Sequence, residues 1–251
     1  MNASARIWSG AIGLGTAVVC SVLLLSWATD GLAVLTTDAS RARRVQRVPV
    51  TVPTVSVRGA DGVVHDVMAD VTVNGMADVM VDVMADVTHA ARADAMRAGR
   101  ASMSFIPDSS RPRAIIVDFV YTRCITVCGA LGSVYQVLQR DIEQRGLQHK
   151  VRLLTVSFDV ENDDPRSLAM YARVHRANAG IWSLVTPVDP ESRDQLLRAF
   201  GVRVVPDGVG GWVHNAALHV VDPGGRLVRI VDIADGEAAL AAALTAWSAA
   251  P

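Results

Sequence analysis

The chain has 251 residues, a formal net charge of −1 and 51% hydrophobic residues. This length is enough for one globular domain and an additional segment. The near-neutral charge and the lack of a basic block argue against nucleic-acid binding, so we expect no nucleic-acid partner.

The amino-terminal region contains a long stretch without charge, residues 7–29. As a helix this stretch spans roughly 34 Å, which is enough to cross the hydrocarbon core of a bilayer. Trp8 and Trp27 lie near its ends, where the membrane interface favours aromatic rings. We therefore predict a cytoplasmic amino terminus at 1–6 and a transmembrane anchor at 7–29. A signal peptide cleaved after Ala28 is the alternative.

The arginines around this span point to the opposite orientation. Four of them, at 41, 43, 44 and 47, follow the span, whereas only Arg6 precedes it. The positive-inside rule alone would place the main domain in the cytoplasm.

Residues 30–62 are polar with scattered proline and valine, and predict a tether. Residues 63–98 carry a tetrapeptide repeat in which Asp or Asn recurs from Asp66 to Asp86. Four residues overshoot a helical turn by about 40°, and Asp is disfavoured in strands. We interpret this segment as a low-complexity insertion. Six of the eight methionines lie between 68 and 103, and because thioethers bind Cu(I), a copper-binding role is the alternative.

Two near-continuous apolar runs, 114–121 and 151–159, are typical of strands buried on both faces. Asp164 and Asp189 each precede a proline, which predicts an N-cap followed by the first residue of a helix. Two further strands, at 217–221 and 226–231, are joined by the turn sequence Asp-Pro-Gly-Gly.

The predicted order from residue 111 is β-α-β-α-α-β-β-α. This order indicates an α/β domain with parallel strands and a terminal hairpin, over residues 99–251. Cysteines directly after the first strong strand make it a thioredoxin-like arrangement.

Cys124 and Cys128 fall between the end of that strand and the start of a helix. Backbone N–H groups and the helix dipole favour a thiolate at such a position. Residues four apart in a helix have Cβ atoms about 5–6 Å apart, whereas a disulfide needs roughly 3.5–4.5 Å. The spacing allows a disulfide only with local bending, but it readily allows two thiolates to hold one metal ion.

Copper is the metal that this pair suits. Structural zinc takes four ligands, and the remaining cysteine, Cys20, lies in the predicted span. Cu(I) accepts soft thiolates and low coordination numbers. His214, in a loop before the last hairpin, is the candidate third ligand. His219 is expected to be a strand side chain and, with the methionine segment, is the next candidate.

Three segments resemble motifs of the SCO/SenC family of copper chaperones, in the same order. They read DFVYTRCITVC (118–128), SFDVENDDPRSLAMYA (157–172) and VHNAALHVVDPGGRLV (213–228). Residues 63–98 fall outside this resemblance.

The resemblance implies that Cys124, Cys128 and His214 are copper ligands and that Asp159 is the family's strand-end acid. Prolines of the family motifs are replaced here by Ile125, Gly129 and Val160, which leaves every implied ligand in place.

The resemblance also implies a single-pass protein of the inner (cytoplasmic) membrane with its carboxyl-terminal domain in the periplasm, against the arginine distribution. Its implied task is delivery of copper to the CuA site of cytochrome c oxidase subunit II, or reduction of that site's cysteines. The implied cofactor is copper, as Cu(I), with Cu(II) as a second form. Periplasmic copper carriers and thiol reductants are the other implied partners.

Two alternatives from other functional classes remain open. A periplasmic thiol–disulfide oxidoreductase or thiol peroxidase would use Cys124 and Cys128 as a redox pair. Thioredoxins usually carry a cis-proline before the hairpin strand, whereas this chain has His214-Asn215-Ala216, which favours metal binding. Copper storage or sensing through the methionine repeat would require several coppers per chain.

Overall fold

The structure, a computed structural model, describes residues 16–27, 36–68, 112–124, 127–208 and 210–250. The chain divides into two compact units, Met1–Arg44 and Val45–Pro251. Within the predicted anchor, residues 16–27 are helical (α1), and residues 7–15 and 28–29 lie outside the described ranges. In the part of the chain that is described, no helix combines the length and the apolar character needed to cross a membrane.

Ten strands are described. They are β1 (Val50–Thr51), β2 (Ser56–Gly59), β3 (Val64–Asp66), β4 (Ala114–Val120), β5 (Val151–Ser157), β6 (Trp182–Pro187), β7 (Val204–Pro206), β8 (Trp212–His214), β9 (Leu218–Val221) and β10 (Arg226–Val231). The helices that follow α1 are α2 (Thr37–Arg47), α3 (Val127–Gln144), α4 (Pro165–Val174), α5 (Pro190–Phe200) and α6 (Gly236–Ser248).

Eight strands form one sheet in the order β1-β10-β9-β4-β5-β6-β2-β3, and β7 and β8 form a separate two-stranded ribbon. β4, β5 and β6 are parallel, whereas β9 pairs antiparallel with β4 and with β10. Every residue of β4 and β5 is buried. The two apolar runs therefore form the centre of the sheet, as predicted, and the terminal hairpin is confirmed.

Helices cover both faces of the central strands. Tyr135 of α3 packs against Trp182 with the ring centroids 5.2 Å apart, and Phe200 of α5 packs against Phe119 at 5.1 Å. Asp118 and Phe119 are neighbours in β4, so their side chains point to opposite faces. Asp118 is thus buried on the face that α3 covers.

The predicted helix caps are confirmed. Asp164 accepts a hydrogen bond from the backbone N–H of Ser167, and Asp189 accepts one from that of Ser192. A proline occupies the first turn of both helices. Gly201 ends α5 with φ of 62°, a conformation that glycine adopts without steric cost.

The predicted tether at 30–62 includes regular secondary structure. It contains α2 and the strands β1 and β2, and β3 occupies the start of the predicted insertion 63–98. The order predicted from residue 111 also missed β6 and the β7–β8 ribbon. β1, β2 and β3 are too short to show a clear hydrophobic period in the sequence. β1 pairs with β10, and β2 pairs with both β6 and β3, so these strands form through their partners in the sheet. Residues 69–98 lie outside the described ranges.

Candidate metal centre

The carboxyl ends of β4 and β5 lie side by side in the sheet. Their parallel register places Val120 opposite Ser157, and the backbone N–H of Phe158 donates to the carbonyl of Val120 at 3.0 Å. Residues 121–124 and 158–159 therefore emerge at one edge. This is the edge where α/β proteins usually place their functional sites, and the predicted parallel arrangement of the two strands is confirmed.

Cys124 lies at this edge, between β4 and α3. Its side chain is buried, with 9% of its surface exposed. Its backbone N–H donates to the carbonyl of Tyr121 at 3.1 Å, which closes a turn directly after the strand. Cys128 is the second residue of α3, but its side chain lies outside the described residues. The backbone thus places Cys124 between strand and helix, as predicted, and Cys128 in the first turn of the helix.

His214 is the last residue of β8, whereas the sequence predicted that it lies in a loop. Its ring packs against Phe158 with the centroids 5.2 Å apart. Burial lowers the pKa of His214 from 6.5 to about 4. The imidazole is therefore neutral near pH 7, which is the form that coordinates metal ions.

The second histidine considered, His219, lies within the core. It is 1% exposed and sits between the rings of Phe119 and Phe200, at centroid distances of 5.6 and 5.4 Å. One of its ring nitrogens lies 3.2 Å from the carbonyl oxygen of Val117. His219 is therefore a strand side chain, as expected, and packs away from the edge that carries Cys124.

Two histidines, His65 and His89, lie near the ends of the methionine repeat. His65 lies in β3, at the outer edge of the sheet and separated from β4 by β5, β6 and β2. His89 and five of the six methionines noted, those at 76 to 103, lie outside the described residues, whereas Met68 follows β3.

Among the side chains that the structure describes, no group of three or more histidines, cysteines, aspartates or glutamates is placed to hold a metal ion. Cys128 is not among those side chains. The donors that are described, a buried thiol and a neutral imidazole at the same end of the sheet, have the chemistry that soft Cu(I) prefers.

A family model described as SCO1/SenC matches residues 101–249. The chain belongs to the SCO1/SenC family. A SCO1 protein homologue of Bacillus subtilis is 24% identical over 124 residues, which are 49% of this chain and 63% of the relative. The match thus spans less than two thirds of that relative's length.

Solved structures share the fold of this SCO1/SenC protein. BsSco, described as a member of the Sco family of cytochrome c oxidase assembly proteins with a disulfide switch, is 15% identical, with a TM-score of 0.56 over 81% of this chain and 96% of its own. Arabidopsis thaliana ScoI, solved with copper bound, is 13% identical, with a TM-score of 0.52 over 77% of this chain and 97% of its own. The predicted thioredoxin-like α/β fold is thereby confirmed.

Two carboxylates of the SCO1/SenC domain hold the segment before Cys124. Asp163 accepts hydrogen bonds from the backbone N–H of Thr122 at 2.7 Å, from its hydroxyl at 2.6 Å and from the Ser157 hydroxyl at 2.5 Å. Asp159 accepts from Arg123 at 2.8 Å and raises the pKa of that guanidinium. Thr122 and Arg123, the two residues before Cys124, are therefore bound to the loop after β5.

The sequence had indicated only Asp159 among these contacts. Asp163 was missed, although both acids belong to the segment 157–172 that resembles the SCO/SenC motif. Two short polar residues at the ends of the buried strands were the available signal for a shared acceptor: Thr122, two residues after β4, and Ser157, the last residue of β5.

Proposed function

We propose that this SCO1/SenC protein binds copper through Cys124, Cys128 and His214. The observation that carries the proposal is the arrangement at the end of β4 and β5, where Cys124 follows one strand and the ring of His214 lies 5.2 Å from that of Phe158, which follows the other. Two thiolates and a neutral imidazole form a ligand set suited to Cu(I), and Cu(II) is a second form that the site could take.

We propose that the copper is cargo for cytochrome c oxidase, delivered to the CuA site of subunit II. Membership of the SCO1/SenC family supports this, as does the description of the structurally similar BsSco as a cytochrome c oxidase assembly protein. Arabidopsis thaliana ScoI with copper bound supports copper as the cargo. Periplasmic copper carriers would load the site.

The proposed location is the inner membrane, with residues 7–29 as a single-pass anchor and the domain in the periplasm. The uncharged stretch supports the anchor, and the resemblance to the SCO/SenC family supports the periplasmic orientation. An alkaline phosphatase fusion after residue 110 should be active, and a matched cytoplasmic reporter at the same point should be inactive. Activity of the cytoplasmic reporter alone would contradict both the location and the proposed task.

Copper delivery proceeds by ligand exchange, in which thiolates of the acceptor replace those of the donor. Because Cys124 is largely buried, transfer requires the acceptor to approach from the exposed side of the edge. The alternative use of the same pair is reduction of the cysteines in the acceptor. One thiolate then attacks the acceptor disulfide, and the other resolves the mixed disulfide, so that Cys124 and Cys128 are oxidised as the acceptor is reduced.

Competition with a chromophoric Cu(I) chelator tests the ligand set. The wild-type chain should bind one Cu(I), and Cys124→Ser and Cys128→Ser should abolish tight binding. His214→Ala should weaken binding markedly but still allow the Cys124–Cys128 disulfide to form, as measured by thiol counting after mild oxidation. His149→Ala, at an exposed position beside Trp247, is the control and should bind like wild type. Equal binding by His214→Ala and wild type would remove His214 from the ligand set.

The redox state of the cysteines in the acceptor allows an experiment to distinguish copper delivery from thiol reduction. The Cu(I)-loaded chain should transfer copper to a CuA domain whose cysteines are already reduced. If the reduced, copper-free chain instead reduces an oxidised CuA domain, and transfer from the loaded chain is not seen, the reductase alternative replaces delivery.

A further inference from the structure

Tyr121 joins the cysteine segment to the strand that carries His214. It directly follows β4 and is 7% exposed. Its hydroxyl donates a hydrogen bond to the carbonyl of Trp212 and accepts one from the backbone N–H of Trp212, both at 3.2 Å. A tyrosine hydroxyl can act both as donor and as acceptor, and here both functions are directed at one residue of β8.

Gly211 makes this close approach possible. A Cβ atom at residue 211 would lie 2.9 Å from the Tyr121 hydroxyl and 2.5 Å from a carboxylate oxygen of Asp207. That same carboxylate accepts a hydrogen bond from the backbone N–H of Gly211 at 2.8 Å. A side chain at residue 211 would therefore push the Tyr121 hydroxyl or the Asp207 carboxylate out of its present position.

The position of Trp212 determines where the imidazole of His214 lies. The two residues are two apart in the same strand, so their side chains project to the same face. β8 pairs with β7 in a ribbon that is separate from the main sheet, and an isolated two-stranded ribbon is marginally stable. The Tyr121 contact fixes this ribbon against the end of β4.

Aromatic packing extends the same connection. The ring centroids of Tyr121 and Phe158 lie 5.5 Å apart, and those of Phe158 and His214 lie 5.2 Å apart. The hydroxyl contact holds the backbone of β8, while the rings fill the space between Tyr121 and the imidazole.

We propose that Tyr121 is a positioning residue, whose hydroxyl holds His214 at the distance from Cys124 that a shared copper ion requires. This inference rests on the proposed function, because it assumes that His214 is a ligand. Groups that orient metal ligands typically change metal affinity by about 10- to 100-fold when they are removed. Tyr121→Phe removes the hydroxyl and keeps the ring, so it tests the backbone contact alone.

The experiment measures Cu(I) affinity by chelator competition in the full chain, in detergent. Tyr121→Phe should lower affinity by about tenfold. The matched control is Tyr135→Phe, which removes another buried hydroxyl, bonded to the carbonyl of Ile116 at 3.0 Å. This control should leave the copper affinity close to that of wild type, because its hydroxyl bonds to the middle of β4 rather than to β8. Gly211→Ala should weaken copper binding in the same direction as Tyr121→Phe.

A double-mutant cycle distinguishes positioning from a general loss of structure. If Tyr121 acts through His214, adding Tyr121→Phe to His214→Ala should cause no further loss of affinity. The same loss in both backgrounds, or equal affinities for Tyr121→Phe and Tyr135→Phe, would overturn the inference while leaving the proposed copper site intact. His214→Ala binding like wild type would overturn both the ligand set and the role of Tyr121.

Discussion

Phe158 packs edge-on against His214, with ring centroids 5.2 Å apart and the ring planes at 68°. Phe158 is 2% exposed and directly follows β5. This contact contributes to the burial of the imidazole, which lowers the pKa of His214 to about 4. Near neutral pH the side chain is therefore an uncharged imidazole, available as a ligand without first losing a proton.

The first prediction concerns this titration. In the reduced, copper-free chain, the imidazole resonances of His214 should stay those of the neutral form as the pH falls from 7, and titrate only near pH 4. The measurement is an NMR titration, with His214→Ala to assign the signal. Because desolvation is the cause, Phe158→Ala should move the pKa of His214 upward, towards 6.5. Titration of the wild-type residue near its ordinary pKa would show that the imidazole is solvated.

The second prediction compares two adjacent aspartates. Asp163→Ala leaves three buried or half-buried donors of Thr122 and Ser157 without their acceptor, and should lower the free energy of unfolding by about 2–4 kcal/mol. Asp164→Ala removes only a helix cap and should cost about 1 kcal/mol. Urea unfolding of the reduced chain measures both. Equal costs would mean that Asp163 does not fix the cysteine segment.

The third prediction follows from the buried carboxyl of Asp118. It is 0% exposed, and burial raises its pKa from 3.8 to about 7. The folded protein therefore binds a proton between about pH 4 and 7 that the unfolded chain has released. The contribution of Asp118 to stability should fall as the pH rises through this window, by at most about 1.4 kcal/mol per pH unit.

Asp118→Asn tests this pH dependence, because an amide stays neutral at every pH in the window. As the pH increases from 4 to 7, the free energy of unfolding of Asp118→Asn should rise relative to that of wild type. Above pH 7 the difference should level off. Unfolding curves at a series of pH values give that difference. A difference that does not change with pH would show that Asp118 is not protonated in the folded protein.

The fourth prediction concerns the tetrapeptide repeat. Asp66 belongs to β3, and Val67 is buried, so a deletion has to begin after Met68 to spare the sheet edge. Deleting residues 70–88 should leave the unfolding midpoint and the binding of one Cu(I) per chain unchanged. Copper stoichiometry is measured by titration under reducing conditions. A fall from several coppers to one on deletion would support copper storage through methionine.

Local patterns in the sequence were sufficient for several elements. The two apolar runs predict β4 and β5, since each is buried along its whole length. Aspartate followed by proline predicts the starts of α4 and α5, because the capping partner lies within the next few residues. The position of Cys124 at the carboxyl edge follows from the strand that precedes it.

Contacts between distant residues were not predictable in this way. Tyr121 and Trp212 are 91 residues apart in the chain, and Asp163 is 41 residues from Thr122. The β7–β8 ribbon places His214 in a strand and partly buries it, whereas its local sequence suggested an exposed loop. No local period encodes such pairings, because they depend on which strand ends meet once the sheet has formed.

X-ray absorption at the copper edge tests the proposed site most directly. The Cu(I)-loaded full chain should show sulfur ligands from Cys124 and Cys128 together with one nitrogen ligand. The nitrogen contribution should disappear in His214→Ala and persist in His149→Ala. A spectrum with sulfur ligands alone in the wild-type chain, or one that His214→Ala leaves unchanged, would contradict the three-ligand copper site.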